Sequence, residues 1–170
     1  MDANPSTDAI DDVVNDLRSW QPELEAVGLP ITGRVLRLAQ YLTIGREQRL
    51  AEFGLTVADF DVLATLRRRA SADPVNVRDL QHAMMLSSSG VTKRLDRLET
   101  AQLIERHPDP TDRRGVLIRL TRTGLDLIDR AVVAITVFEN EAVSGAIDSD
   151  DERLQLEAGL RHMLIAHERP

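Results

Sequence analysis

The chain has 170 residues, no cysteine and a net charge of −7. That length fits one domain, or one domain with an extension, at roughly 100–200 residues per domain, and zero Cys excludes a disulfide framework, a thiolate metal site, a catalytic cysteine and a thiol redox sensor. Apolar residues make up 42%, charged residues 29% and aromatics only 3%, the composition of a soluble globular protein with an aliphatic core. The first residues, Met1–Asn15, are acidic and lack the apolar stretch of a secretory signal, and no run approaches the ~18 apolar residues of a membrane span. A cytoplasmic protein with no membrane contact is expected.

Ile10, Val13, Val14, Leu17 and Trp20 repeat at helical spacing until Pro22 stops the run, which predicts a short N-terminal helix with an acidic outer face. After Gly28–Pro30, the residues Ile31, Val35, Leu38 and Leu42 predict a long helix to about Phe53, closed by Gly54. Thr56 then serves as N-cap of a third helix with Asp59 three residues on. Phe60, Leu63, Ala64 and Leu66 make its apolar face, and Arg67–Arg69 suit the negative end of its dipole. Pro74 breaks the chain, and Asn76 caps a short helix carrying Val77, Leu80 and Met84. Ser87-Ser88-Ser89-Gly90 opens another helix, with Val91, Leu95 and Leu98 inward. Two short helices joined by so tight a turn form a helix-turn-helix pattern.

The next segment is extended. Leu103–His107 and Val116–Leu120 read as strands, and Pro108–Asp112 carries turn chemistry, so the pair is a β-hairpin with a charged tip. Thr121 or Thr123 caps a long helix to about Ala146 with Leu125, Ile128, Val132, Ile135 and Phe138 inward. Asp148–Asp151 is an acidic break that caps the last helix, along which lie Leu154, Leu160, Met163, Leu164 and His167.

The charge distribution sharpens this reading. From Ser87 to Arg122 there are eight basic and five acidic residues, so this stretch is +3 within an acidic chain. A locally basic helix-turn-helix is the footprint of nucleic-acid binding. With Val91, Leu95 and Leu98 facing the core, Ser88, Ser89, Thr92, Lys93 and Arg97 lie on other faces of the helix, with Arg94 more lateral. Hydroxyls at such positions contact phosphates or base edges, and Lys and Arg donate to guanine O6 and N7 in the major groove. At the hairpin tip, the guanidinium groups of Arg113 and Arg114 suit a narrow, electronegative minor groove.

An enzyme is not expected. Ser87–Ser89 has no nearby His/Asp pair and no elbow glycines, and no phosphate-binding glycine loop is present. His82, His107, His162 and His167 are scattered without metal-ligand spacing, so no metal and no cofactor are expected.

The order of these elements resembles the MarR family of bacterial transcription regulators. The resemblance is carried by Leu55-Thr56 with Phe60 and Leu63, by the run Ser87–Glu99, by Pro108-Asp109-Pro110-Thr111-Asp112-Arg113-Arg114, and by Leu120-Thr121 followed by Gly124. Met85 stands where the family often has a turn glycine. The resemblance implies a mainly α fold with a small β-wing, a winged helix-turn-helix flanked by long dimerisation helices. It divides the chain into an N-terminal extension helix (1–29), a dimerisation and linker helix (30–54), the winged DNA-binding domain (55–122) and C-terminal dimerisation helices (123–170).

It also implies a homodimer on a palindromic operator in double-stranded DNA, with the two reading helices about one turn apart. By the family's pattern Arg114 is the minor-groove residue, Asp112 orients it and Arg113 reaches phosphate; the alternative is that Asp112 and Arg114 only lock the turn. A branch responsive to urate-like anions has an N-terminal helix with a ligand-contacting Trp, and Trp20, Asp61 and Arg94 match its effector residues, although Arg67–Arg69 stand where that branch has an Asn. Trp20 alternatively staples its helix to the dimer core. The implied function is a sequence-specific repressor released by a small anionic or aromatic effector. The alternative is a winged protein-interaction module without DNA binding, which is expected to have lost the charges that Lys93, Arg97, Arg113 and Arg114 retain here.

Overall fold

A computed structural model describes residues 7–69, 75–84, 88–110, 112 and 115–168. Among the described residues the elements follow in the order α1 (Ala9–Trp20), α2 (Leu29–Ala51), α3 (Val57–Arg69), β1 (Val75–Asn76), α4 (Val77–Met84), α5 (Ser88–Thr100), β2 (Ile104–Pro108), β3 (Val116–Leu120), α6 (Arg122–Ser144) and α7 (Asp150–Glu168). By contacts the chain forms two compact units, up to Gly45 and from Arg46 onward. That division falls inside α2, where the sequence reading draws no boundary.

In the first unit, Asp8 caps α1. Its carboxylate accepts from the N–H groups of Ile10 and Asp11 at 2.7 and 3.3 Å, and Asp11 accepts in return from the Asp8 N–H at 2.9 Å. This reciprocal pair satisfies orphan donors of the first turn. Arg34 of α2 then bridges both carboxylates, at 2.8 Å to Asp8 and 2.7 Å to Asp11. Val14 is buried, and Ile10 lies against Gly33, so α1 docks on α2 through a close apolar contact as well.

The Arg34 hydrogen bond is the main influence holding the Asp8 carboxyl below its usual range; for Asp11 the Asp8 backbone N–H is first and Arg34 second. Carboxyls depressed in the folded state contribute stability that is full above their usual range and lost as the pH falls through the depressed values. Arg34→Ala is therefore expected to speed amide hydrogen exchange across α1 at neutral pH. That difference from the unsubstituted protein should shrink as the pH falls through the usual carboxylate range and be lost only below the depressed values of Asp8 and Asp11; a difference that does not shrink in acid contradicts the clamp.

The second unit holds the core. The end of α2 turns through Gly54, whose φ of +68° is the left-handed conformation that glycine favours. Gly54 N–H donates to Ala51 O and Leu55 N–H to Leu50 O, a Schellman closure with both leucines buried. The sequence reading of α3 as a helix with one apolar face needs correction. Asp59, Val62 and Thr65 are buried along with Phe60, Leu63, Ala64 and Leu66. The reason is that α3 sits in the middle, packed against α4, α5, α6 and β3.

The inner face of α6 is likewise rotated from the expected one. Gly124, Ile128, Ala131 and Ile135 are buried, whereas Val132 is exposed. The small residues Gly124 and Ala131 allow the close approach that a count of large apolar residues overlooks. Thr121 is the cap of α6: its Oγ1 accepts from Gly124 N–H at 3.0 Å and donates to Gln102 O at 2.7 Å.

The sheet is antiparallel in the order β1-β3-β2. Ile104 pairs with Leu120 and Ile118 with Val75, placing Ile104 and Ile118 in the core. The two-residue β1 is absent from the sequence reading because it is too short to show an alternating pattern. No residue of α7 is buried, and Ile31, Leu38, Leu154 and Leu164 are each more than half exposed. Among the described residues no helix is long and apolar enough to cross a membrane.

Candidate nucleic-acid interface

The short helix α4 starts where Asn76 Oδ1 accepts from Arg78 N–H at 2.8 Å. Helix α5 seats Val91, Leu95 and Leu98 in the core, each essentially inaccessible. That fixes what its other faces present. Thr92 and Lys93 are exposed and Arg94 is half-buried. Ser88 and Ser89 form the first turn, with their side chains outside the described structure. Lys93 and Arg94 make no ion pair among the described residues.

Arg97 is differently placed. Its Nη2 lies 3.1 Å from Oδ2 of Asp59, which is buried on α3. The other side of α5 is tied to the hairpin. Arg106 on β2 places Nη2 2.7 Å from Asp96 and Nη1 2.8 Å from Glu99. Two acids that lower the net charge of the basic segment are therefore paired with a wing arginine.

The helix also passes directly into the wing. Gln102 takes a left-handed φ of 57°, Gln102 N–H donates to Glu99 O at 2.8 Å, and Leu103 N–H donates to Leu98 O at 3.0 Å. This is a second Schellman closure. A cleft of about 470 Å³ separates α5 from the wing, lined by Thr92, Leu95, Arg106, Gly115 and Val116, with Arg78 of α4 at its side.

At the hairpin tip, Asp109 N–H donates to Gly115 O at 3.1 Å and Gly115 N–H to Asp112 O at 2.8 Å. Asp112 N–H donates to Asp109 Oδ1 at 3.3 Å. A Cβ on Gly115 would sit 2.7 Å from Asp109 Cβ, so the turn needs glycine there. Asp112 is half-buried at this tip; Arg113 and Arg114 lie outside the described residues.

Of the three effector candidates, Trp20 is the last residue of α1 and is 67% exposed. Asp61 on α3 faces Arg46 at 3.7 Å, and Arg46 in turn lies 3.7 Å from Glu139 of α6 and over the Phe60 ring. Neither the Arg46 cluster nor the two tethers of α5 is signalled by residue spacing. Asp59 is found only as a cap; its position between the apolar Phe60 and Val57 is the one signal that its carboxylate would be buried.

The sequence profile of the MarR family matches residues 55–116. The chain is 32% identical over 149 residues to the HTH-type transcriptional regulator PecS of Dickeya dadantii, covering 88% of this chain and 89% of that one. A mutant of Escherichia coli MarR solved in complex with operator DNA superposes with a TM-score of 0.68 at 25% identity, over 83% of this chain and 99% of that one. AbsC of Streptomyces coelicolor, a MarR family transcriptional regulator, superposes with a TM-score of 0.74 over 84% of this chain and 95% of its own, a likeness of fold at 24% identity.

Proposed function

The chain belongs to the MarR family, and on that premise we propose that it is a transcription regulator that binds a palindromic operator in duplex DNA as a homodimer. The observation that carries this reading is the division of α5: one face is sealed into the core while Thr92 and Lys93 stand exposed beside the wing. A helix so presented fits the major groove, and its first turns carry the reading side chains. Ser88, Ser89, Thr92 and Lys93 are assigned to the groove and its phosphates, with Arg94 at its margin. By the family's pattern Arg114 is assigned to the minor groove beside it and Arg113 to phosphate, with Asp112 orienting Arg114.

The dimer reading is supported by the apolar residues that α2 and α7 leave exposed, among them Ile31, Leu38, Leu154 and Leu164. A single copy has no use for such stripes, whereas a two-fold partner buries them. The protein is taken to act in the cytoplasm by binding rather than by catalysis, as a repressor released by a small anionic or aromatic effector. Trp20, Asp61 and Arg94 are its candidate contacts on the strength of the resemblance.

Nuclease footprinting on the DNA upstream of the protein's own coding region tests this. The expected result is one protected segment with two-fold related halves about ten base pairs apart, in line with one helical turn. Absence of any protected segment at saturating protein favours the interaction-module alternative.

A further inference from the structure

The Asp59 carboxyl of α3 is buried, only 2% exposed. Its Oδ2 accepts from the Thr56 N–H at 3.0 Å and from the Thr56 hydroxyl at 2.7 Å. Those two bonds complete the N-terminal cap of α3, together with the Asp59 N–H that donates to Thr56 Oγ1 at 3.1 Å. The counter-charge comes from another element, as Arg97 Nη2 forms an ion pair with the same oxygen at 3.1 Å. A buried carboxylate needs a cation and a full set of donors to be tolerated there. Arg97 supplies that cation, and its side chain remains 55% exposed while it does so.

The position of Arg97 along α5 is the second consideration. It lies nine residues beyond Ser88, about 13 Å along the helix axis at 1.5 Å per residue. Lys93 and Thr92 sit nearer the first turn, where a reading helix meets base edges. The guanidinium is therefore directed to α3, and the opposite flank of α5 is held by Arg106 through Asp96 and Glu99.

We propose that Arg97 is a positioning residue, anchored on the buried Asp59, that sets the tilt of the recognition helix against α3 rather than touching DNA itself. This rests on the DNA-binding reading given above. The capping box thus has two tasks. It starts α3, and it offers α5 a fixed charged socket, so that α3, the recognition helix and the wing shift as one body.

The test is a set of four full-length proteins: the unsubstituted chain, Arg97→Gln, Asp59→Asn and the double variant. Asp59→Asn keeps an oxygen to accept from Thr56 and removes the charge that holds Arg97. Fluorescence anisotropy on an operator duplex and on a scrambled duplex is read over a range of salt. The expected result is that each single variant loses about tenfold in operator affinity, the scale of one misplaced base contact. The double variant loses no more than the worse single one, and affinity for scrambled DNA is unchanged. The slope of log affinity against log salt is also unchanged.

If Arg97 instead contacts a phosphate, Arg97→Gln reduces that slope by about 0.9 and weakens both duplexes, while Asp59→Asn changes neither. That outcome overturns the proposal. A DNA-free readout separates failure of this idea from failure of the functional reading. Thermal unfolding of the four proteins should show that the two substitutions are coupled rather than additive. Should the unsubstituted protein show no operator preference, the functional reading falls. The coupling then decides the Asp59–Arg97 anchor by itself, additive effects overturning it.

Discussion

Gly124→Ala is expected to destabilise the fold by about 3 kcal/mol or more, through overpacking against backbone. A Cβ at that position would lie 2.0 Å from the Leu103 carbonyl oxygen and 2.9 Å from the carbonyl carbon. Neither atom is the free end of a flexible side chain. Leu103 is held by its N–H bond to Leu98 O, and its carbonyl accepts from Thr121 N–H at 3.1 Å. Helix α6 cannot simply lift away, because Ile128, Ala131 and Ile135 further along it are buried. The strain therefore falls where the recognition helix, the wing and α6 meet. Equilibrium denaturation should show a much lower midpoint with an unchanged slope. A midpoint equal to that of the unsubstituted protein would mean the contact can relax, and that α6 is not fixed to the α5–β2 turn as described.

Lys93→Ala is expected to reduce operator affinity roughly 10- to 100-fold, the range for losing a well-placed base or phosphate contact. Lys93 is exposed and makes no ion pair among the described residues, so its removal leaves no buried group unpaired. The melting temperature should accordingly stay within a degree or two. Anisotropy titrations and thermal melts on the same preparation separate the two effects. Weakened binding with an unchanged melting temperature supports a reading helix at α5. Unchanged binding places the DNA face elsewhere.

Much of this architecture is legible in the residues because its signals are local. Thr56 with Asp59, Asn76, and Thr121 with Gly124 are caps set by hydrogen bonds within three residues. Gly54 marks the end of α2 by its left-handed φ. The turn residues that follow Pro108, itself the last residue of β2, mark off two strands that pair as a hairpin, Ile104 with Leu120 and Arg106 with Ile118.

What the residues conceal is mostly long-range. The burial of Val62 and Thr65 comes from α4, α5, α6 and β3 packed against α3, which periodicity along one helix cannot reveal. The inner face of α6 is set by Gly124 and Ala131, residues with little hydrophobic weight of their own. At the interface, the exposure of Thr92 and Lys93 follows from the spacing of Val91, Leu95 and Leu98. The partners of Arg97 and Arg106 do not follow from spacing. Arg97 reaches an acid 38 residues earlier in the chain, and nothing in a run of surface charges distinguishes an arginine that reads DNA from one that anchors the reader.

The central claim is that α5 and the wing form a sequence-reading surface. Its most direct test is a fluorescence anisotropy titration of the protein against a duplex from its own upstream region and against a scrambled duplex of equal composition, repeated at rising salt. The account predicts that the upstream duplex is bound at least about a thousandfold more tightly at physiological salt. It also predicts that log affinity falls linearly with log salt for both duplexes, at about 0.9 for each phosphate neutralised. Equal affinity for the two duplexes, or binding indifferent to salt, would contradict it.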